Sequence, residues 1–285
     1  MSLINITKII VMLCILLSCN RTMESGGIEV THSEKNDSLI HWYNNVSSSY
    51  LQPSINYRLY KDSALLLDPS NVEIRQVLSY SYKKKGEHIG AMKELNRAVA
   101  NDLQAGNVDA LEYRAWSLLY YYRDYKGTIK DITLIEEMTE EVYNICWGEP
   151  CLFQKGQAYY KLKDYTKAIE AFDILFEEEK KQGFAKEDSF WAFFYKGRCL
   201  FELGNFKDAL LSYNQALMGV EDFPEAHFEI GRTYNKMGNI ELAKKCFEKA
   251  KACFLDKMEE PYIERFDEVF MYQIDEAMLK LKFDH

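Results

Sequence analysis

Four stretches of this sequence share one register, and that register constrains the fold more than any other feature. "GQAYYKLKDYTKAIEAFDILF" from 156, "GRCLFELGNFKDALLSYNQAL" from 197 and "GRTYNKMGNIELAKKCFEKAK" from 231 each open on glycine. An alanine follows twelve residues later (Ala168, Ala209, Ala243), and an aromatic four further on (Phe172, Tyr213, Phe247). "SYSYKKKGEHIGAMKELNRAV" from 79 keeps the frame with Ser79, Ala91 and Leu95. Seven residues after those alanines stand Ala98, Leu175, Ala216 and Ala250. This pattern predicts two antiparallel helices whose small residues face each other, so that the axes approach closely. Tyr159 and Phe172 are expected to fill the volume beside the contact between Gly156 and Ala168. The turn falls at Lys163-Asp164, Gly204-Asn205 and Gly238-Asn239, and Gly and Asn tolerate left-handed backbone. One such hairpin cannot bury its own apolar face, so a stack is required.

Turn, dimensions and small-residue pattern resemble the tetratricopeptide repeat (TPR), whose period is about 34 residues. The resemblance implies an all-α fold, a right-handed superhelical solenoid of hairpins closed by a C-terminal capping helix. Five repeats are expected at 72–105, 108–142, 149–182, 190–223 and 224–257. Residues 38–71 read as a degenerate N-terminal repeat. Trp42 lies in its first helix, and "YRLYKDSALLLDPSN" forms its second. In 258–285, Pro261 to Lys282 reads as an amphipathic cap with Phe266, Val269, Phe270, Ile274 and Met278 on one side. The unit from 108 departs from the pattern: it has one extra residue between Ala115 and Thr128, and Thr replaces the expected Ala. Connections around 143–150 and 183–189 are longer than the family norm, which predicts local irregularity.

No residue pattern points to an enzyme, a metal or a cofactor. The five histidines (His32, His41, His88, His227, His285) form neither an i, i+4 pair nor a Cys/His cluster at zinc spacing. Carboxylate runs such as Glu177-Glu178-Glu179 read as solvated helix faces. Cys199, Cys246 and Cys253 sit within helical periodicity as small packing residues. Cys146 and Cys151, in "CWGEPC", fall in a long connection, and the sequence leaves open whether they are bridged.

In TPR proteins the first helices of successive repeats line a concave surface that grips peptides or protein segments. Carried onto this chain, that groove comprises Gln76, Tyr80, Lys83, Lys84, Glu112, Trp116, Leu119 and Tyr120. It continues with Phe153, Gln157, Tyr160, Lys161, Phe194, Arg198, Phe201, Glu202, Phe228, Arg232, Asn235 and Lys236. Six of these positions are basic and two acidic in a chain of net charge −9, so an acidic segment is the expected ligand. The fixed Lys/Asn/Arg carboxylate clamp of chaperone-binding family members is not reproduced in register. Reversing Arg198 and Arg232 to Glu is expected to weaken partner capture without lowering the melting temperature.

The apolar run Ile9 to Ser18 is ten residues long. At about 1.5 Å per residue it cannot cross a hydrocarbon core of roughly 30 Å. It reads as a secretory leader, residues 1–18, preceded by Lys8. Leu16-Leu17-Ser18-Cys19 resembles the lipobox of bacterial lipoproteins, which implies cleavage before Cys19 and acylation of its sulfur. Two or three acyl chains anchor firmly where one does not. Asn20 lacks the retention signal of an Asp at that place, so the expected site is the outer membrane of a Gram-negative bacterium, at the periplasmic face or the cell surface. Polar residues 19–37, with Gly26-Gly27, read as a flexible tether. The acidic balance argues against nucleic acid as a partner. Together these features imply a lipid-anchored scaffold that binds another envelope protein or a peptide segment, in the manner of an accessory to an envelope assembly. The alternative is a module that stacks Trp and Tyr on glycan or peptidoglycan.

Overall fold

The computed structural model describes residues 32–256 and 267–283; the leader, Cys19 and most of the tether lie outside them. The chain forms α1 (His32–Ser47), α2 (Ile55–Leu67), α3 (Val72–Lys84), α4 (His88–Gln104), α5 (Asp109–Ser117) and α6 (Tyr125–Thr139). A two-stranded hairpin follows, β1 (Ile145–Cys146) and β2 (Glu149–Pro150). Then come α7 (Cys151–Lys161), α8 (Tyr165–Gln182), α9 (Phe190–Glu202), α10 (Phe206–Gly219), α11 (Pro224–Lys236), α12 (Ile240–Asp256) and α13 (Met271–Phe283). Among the described residues, consecutive helices pack as hairpins, and the hairpins stack into an all-α solenoid.

Local chemistry sets the helix starts. Asn71 caps α3 by accepting the Ile74 N–H at 3.0 Å, Asp124 caps α6 through the Gly127 N–H at 3.0 Å, and Pro224 opens α11. At the hairpin turns Gly86, Gly204 and Gly238 take φ of 80°, 78° and 76°. Lys163 holds the equivalent place at φ 62°, where a β-carbon is strained.

The glycines of the register make room for rings. A β-carbon on Gly156 would lie 2.4 Å from Phe172, and one on Gly231 2.6 Å from Phe247. In the units that carry Ser79 and Ala115 instead, the position of the ring is held by Leu95 and Ile132, both buried. A larger residue on one helix is thus matched by a smaller one on its partner. The main core runs from α7 to α11 around Phe172, Phe194, Tyr195 and Tyr213.

The extra residue between Ala115 and Thr128 is absorbed by a π-helical turn, Leu118–Tyr122, ending on Arg123 at φ 56°. This widened turn keeps both faces of the hairpin in phase. Thr128 then sits fully buried, its hydroxyl donating to the Asp124 carbonyl at 3.1 Å. The hydroxyl that Thr128 adds over the alanine of the other units is thus satisfied.

The connection after α6 is the β-hairpin, closed by a Cys146–Cys151 disulfide. Trp147 and Gly148 both have positive φ, 52° and 86°, the signature of a tight hairpin turn. The hairpin touches α5 and α7, so it stands between the first helices of the second and third units. The other long connection contains a 3₁₀ turn, Lys186–Ser189.

Two boundaries differ from the sequence reading. Helix α1 begins at His32, inside the stretch read as tether to residue 37. The last described helix is Met271–Phe283, residues 267–270 before it are non-helical, and the Phe270 N–H bonds the Gln273 side chain at 2.8 Å; Pro261, where the cap was expected to begin, lies outside the described residues. Val269 and Ile274 are buried as the amphipathic pattern implies, but Phe270 is 52% exposed; Phe266 lies outside the described residues.

Candidate functional site

First helices of successive hairpins touch one another: α3 meets α5, α7 meets α9, and α9 meets α11. They carry the residues assigned above to the groove. The structure divides those residues into two clusters of different character.

Around α3 and α5 the cluster is aromatic. The Lys83 ammonium lies 5.2 Å from the Tyr80 ring, 5.2 Å from Tyr113, 5.1 Å from Trp116 and 3.9 Å from Tyr121. It also donates to the Tyr113 hydroxyl at 3.2 Å. A cation held among ring faces is attracted to their negative quadrupoles. Lys83 is therefore buried and serves to order the rings; its assignment as an open groove residue is corrected. Trp147, delivered by the disulfide-closed hairpin, packs on Tyr113 at 4.6 Å and near Trp116 at 6.5 Å, yet remains half exposed. Tyr120 is buried, its hydroxyl 2.7 Å from Glu149 and 2.7 Å from Gln157. It ties the π-helical turn to the hairpin and to α7. Lys84 stays exposed, bound to Gln52 at 2.9 Å.

Glu112, at the start of α5, has its carboxyl pushed up to about 7 by burial and by the neighbouring Asp109 and Asp102 carboxylates. Asp102 is itself committed to capping, accepting the Ala110 N–H at 2.7 Å.

The second cluster is ionic. Asp267, just before the cap, reaches across the first helices of the third and fourth units, 2.7 Å from Lys161 Nζ and 3.0 Å from Arg198. Arg198 also faces Glu229 at 3.7 Å, and Arg232 bonds Glu229 at 2.8 Å. Burial works against the Arg198 charge, but Glu229, Tyr160 and Asp267 outweigh it and raise its pKa. Burial pushes Lys161 down, and Asp267 pulls it partly back. Arg198 lies over Tyr160 at 5.1 Å and Arg232 over Phe201 at 4.8 Å. A cleft of about 510 Å³ opens beside this cluster, bounded by Phe194, Phe228, Arg232, Val269 and Phe270.

Several groove assignments are corrected accordingly. Phe153, Phe194 and Phe201 are buried at 6%, 1% and 8% exposure. Phe153 packs on Phe172 and Tyr195, Phe194 on Trp191 and Phe223, and Phe201 on Phe206. Helix periodicity puts them on the inner side, but neighbouring repeats close over them. Tyr80, Trp116, Tyr160, Lys161, Arg198, Phe228 and Arg232 are partly accessible, and Asn235 and Lys236 are exposed. Reversal of Arg198 is no neutral probe, since its side chain is 19% exposed between two carboxylates. The sequence reading missed Tyr113, Tyr121, Trp147, Glu229 and Asp267. Only Trp147 carried a signal, its place between two cysteines.

The Cys199 thiol is buried, and that burial raises its pKa to about 12, far from a reactive thiolate. Among the described residues no group of three or more His, Cys, Asp and Glu could hold a metal, and no helix is long and apolar enough to cross a membrane.

The tetratricopeptide repeat family matches residues 153–227 and again 224–252. No curated protein matches the sequence. PilF of Pseudomonas aeruginosa is similar in structure, with a TM-score of 0.57 at 16% identity over 85% of this chain and 99% of that one. YrrB, described as a TPR protein with an unusual peptide-binding site, gives 0.50 at 18% identity over 70% and 94%. The Cut9 and Hcn1 assembly of the APC/C gives 0.55 at 14% identity over 88% of this chain, which spans 43% of the matched length. At such identities the likeness concerns the fold. Residues 153–252 match tetratricopeptide repeats, and the described residues form an all-α solenoid of such hairpins.

Proposed function

We propose that this chain is a lipid-anchored scaffold of the bacterial cell envelope that binds a segment of another protein along the inner face of its repeats. The observation that carries the binding reading is the row of partly accessible rings and cations on successive first helices: Tyr80 and Lys84, Trp116 with Trp147, Tyr160, and Arg232. Aromatic residues and Arg are what protein-binding surfaces enrich. TPR proteins bind protein segments as a class, and the peptide-binding site of YrrB belongs to a similar fold. Lipid anchoring rests on Leu16-Leu17-Ser18-Cys19, and the outer membrane on Asn20. A role as accessory to an envelope assembly, with an acidic partner segment, fits the basic bias of the groove.

The experiment is photo-crosslinking in living cells from Lys84, Trp116 and Lys236, with Leu66 on the exposed outer face of α2 as control. One protein species captured from the inner positions and not from Leu66 supports the scaffold; equal capture from both would sink it. In parallel, Cys19→Ser should abolish fatty-acid labelling and release the chain from the membrane fraction.

The exposed Trp147 and Tyr121 rings, beside the partly accessible Trp116, favour one second reading, stacking on sugar rings. Retention on peptidoglycan that survives protease treatment of that ligand, and is lost in Trp147→Ala, would select it.

A further inference from the structure

The inner face is not empty at its C-terminal end. Asp267 lies 106 residues beyond Lys161 in sequence, yet its carboxylate bridges Lys161 and Arg198 with a side chain only 7% exposed. The segment is held further by Val269, whose side chain is buried and whose N–H donates to Glu225 at 3.4 Å. Asp267 Oδ2 and the Tyr195 hydroxyl are both buried there, and the Asp267 carboxylate acts on that hydroxyl. The 510 Å³ cleft lies directly alongside.

We propose that residues 267–270 are a built-in occupant of the groove, with Asp267 filling a carboxylate site made by Lys161 and Arg198 that an acidic side chain of the partner segment takes over by displacing it. This rests on the inner-face reading above and names its ligand chemistry. The argument is electrostatic. Lys161 and Arg198 are four-fifths buried, so a neutral ligand that displaced Asp267 would strip a carboxylate partner from each of them out of water. A second carboxylate replaces the first without that penalty. The exchange selects acidic segments and discriminates against apolar ones that the aromatic walls would otherwise accept. Because the internal carboxylate is tethered, its effective concentration is high and the external ligand binds more weakly than the site alone would allow.

The probe is a fluorescein-labelled peptide of the chain's own residues 262–273, YIERFDEVFMYQ, added to the full chain in detergent and followed by anisotropy. Asp267→Asn in the chain should tighten peptide binding on the order of tenfold by removing the internal competitor. Asp267→Glu should stay near the wild type, and the peptide with Asn at its own Asp267 position should bind neither. Adding Lys161→Met to the Asp267→Asn chain should cancel the gain. In the wild-type chain, which needs no variant to fold, saturating peptide should speed hydrogen exchange at residues 267–270. Equal peptide affinity for the wild type and Asp267→Asn, or unchanged exchange at 267–270 with peptide bound, overturns the proposal. So does a wild-type dimer in sedimentation whose copies exchange this segment. These readouts involve only the chain and its peptide, so they fail or succeed separately from the crosslinking of a cellular partner.

Discussion

The ring of Tyr213 occupies the space that a side chain on Gly197 would need: a β-carbon there would lie 2.5 Å from Cε1 of the ring. Sixteen residues separate the two, the distance from one helix of a hairpin to the facing point on the next. Gly197→Ala would gain about 1 kcal/mol of helix propensity and lose about 3 to overpacking against a fully buried ring. The expected result is a net loss of about 2 kcal/mol, read from the denaturant midpoint. In a double-mutant cycle with Tyr213→Leu the losses should be less than additive, as the Ser79 and Leu95 combination implies.

Lys163 offers the opposite change. It holds φ 62° where three other hairpin turns place glycine. Lys163→Gly should stabilise the chain by about 0.5–1 kcal/mol by relieving left-handed strain, and thermal melting measures it. No gain would mean that the side chain contributes as much as the strain costs.

Glu112 makes stability depend on pH. Its folded-state pKa, about 7, stands above the ordinary value of 4.5, so the folded chain holds this proton more tightly than the unfolded chain. The favourable contribution is complete below pH 4.5 and disappears as pH rises through 7. Glu112→Gln should therefore raise stability at pH 8 by about 1–2 kcal/mol, allowing for solvent screening, and change little at pH 4. Paired melts at the two pH values decide it.

The disulfide closes a short loop that carries Trp147 into the aromatic cluster. Replacing both Cys146 and Cys151 by Ser should cost about 2 kcal/mol by loop entropy. It should also weaken the near-ultraviolet circular dichroism that arises from Trp147, Tyr113 and Trp116 held in fixed geometry. Loss of stability with an unchanged aromatic signal would show that ring packing alone holds the hairpin.

Arg198 links the fourth unit to the fifth and to the cap through Glu229 and Asp267. Arg198→Met should cost about 3 kcal/mol, because two largely buried carboxylates lose a partner. Arg232→Met, at a side chain 36% exposed, should cost under 1 kcal/mol. Chemical denaturation of the two variants side by side tests this ranking, and equal losses would contradict it.

The repeat architecture was legible because its determinants are close in sequence. Gly156 and Phe172, or Asp164 and the N–H of Lys167 that it caps, belong to a single hairpin, and a twenty-residue window contains them. The extra residue before Thr128 was countable, although its resolution as a π-helical turn was not. That choice depends on keeping Ala115 and Ile132 in one buried layer.

The sequence by itself determined the period, the turns and which helix faces are apolar, because those follow from local sterics and side-chain volume. Only the tertiary structure decided which inner residues remain open. Phe153, Phe194 and Phe201 have the periodicity of groove residues, and adjacent repeats bury them. Lys161 and Arg198 look like free cations until Asp267 arrives from the far end of the chain. Periodicity records the direction in which a side chain leaves its own helix. What meets it there is set by how many repeats stack, by the hairpin that stands between two of them, and by where the last segment returns.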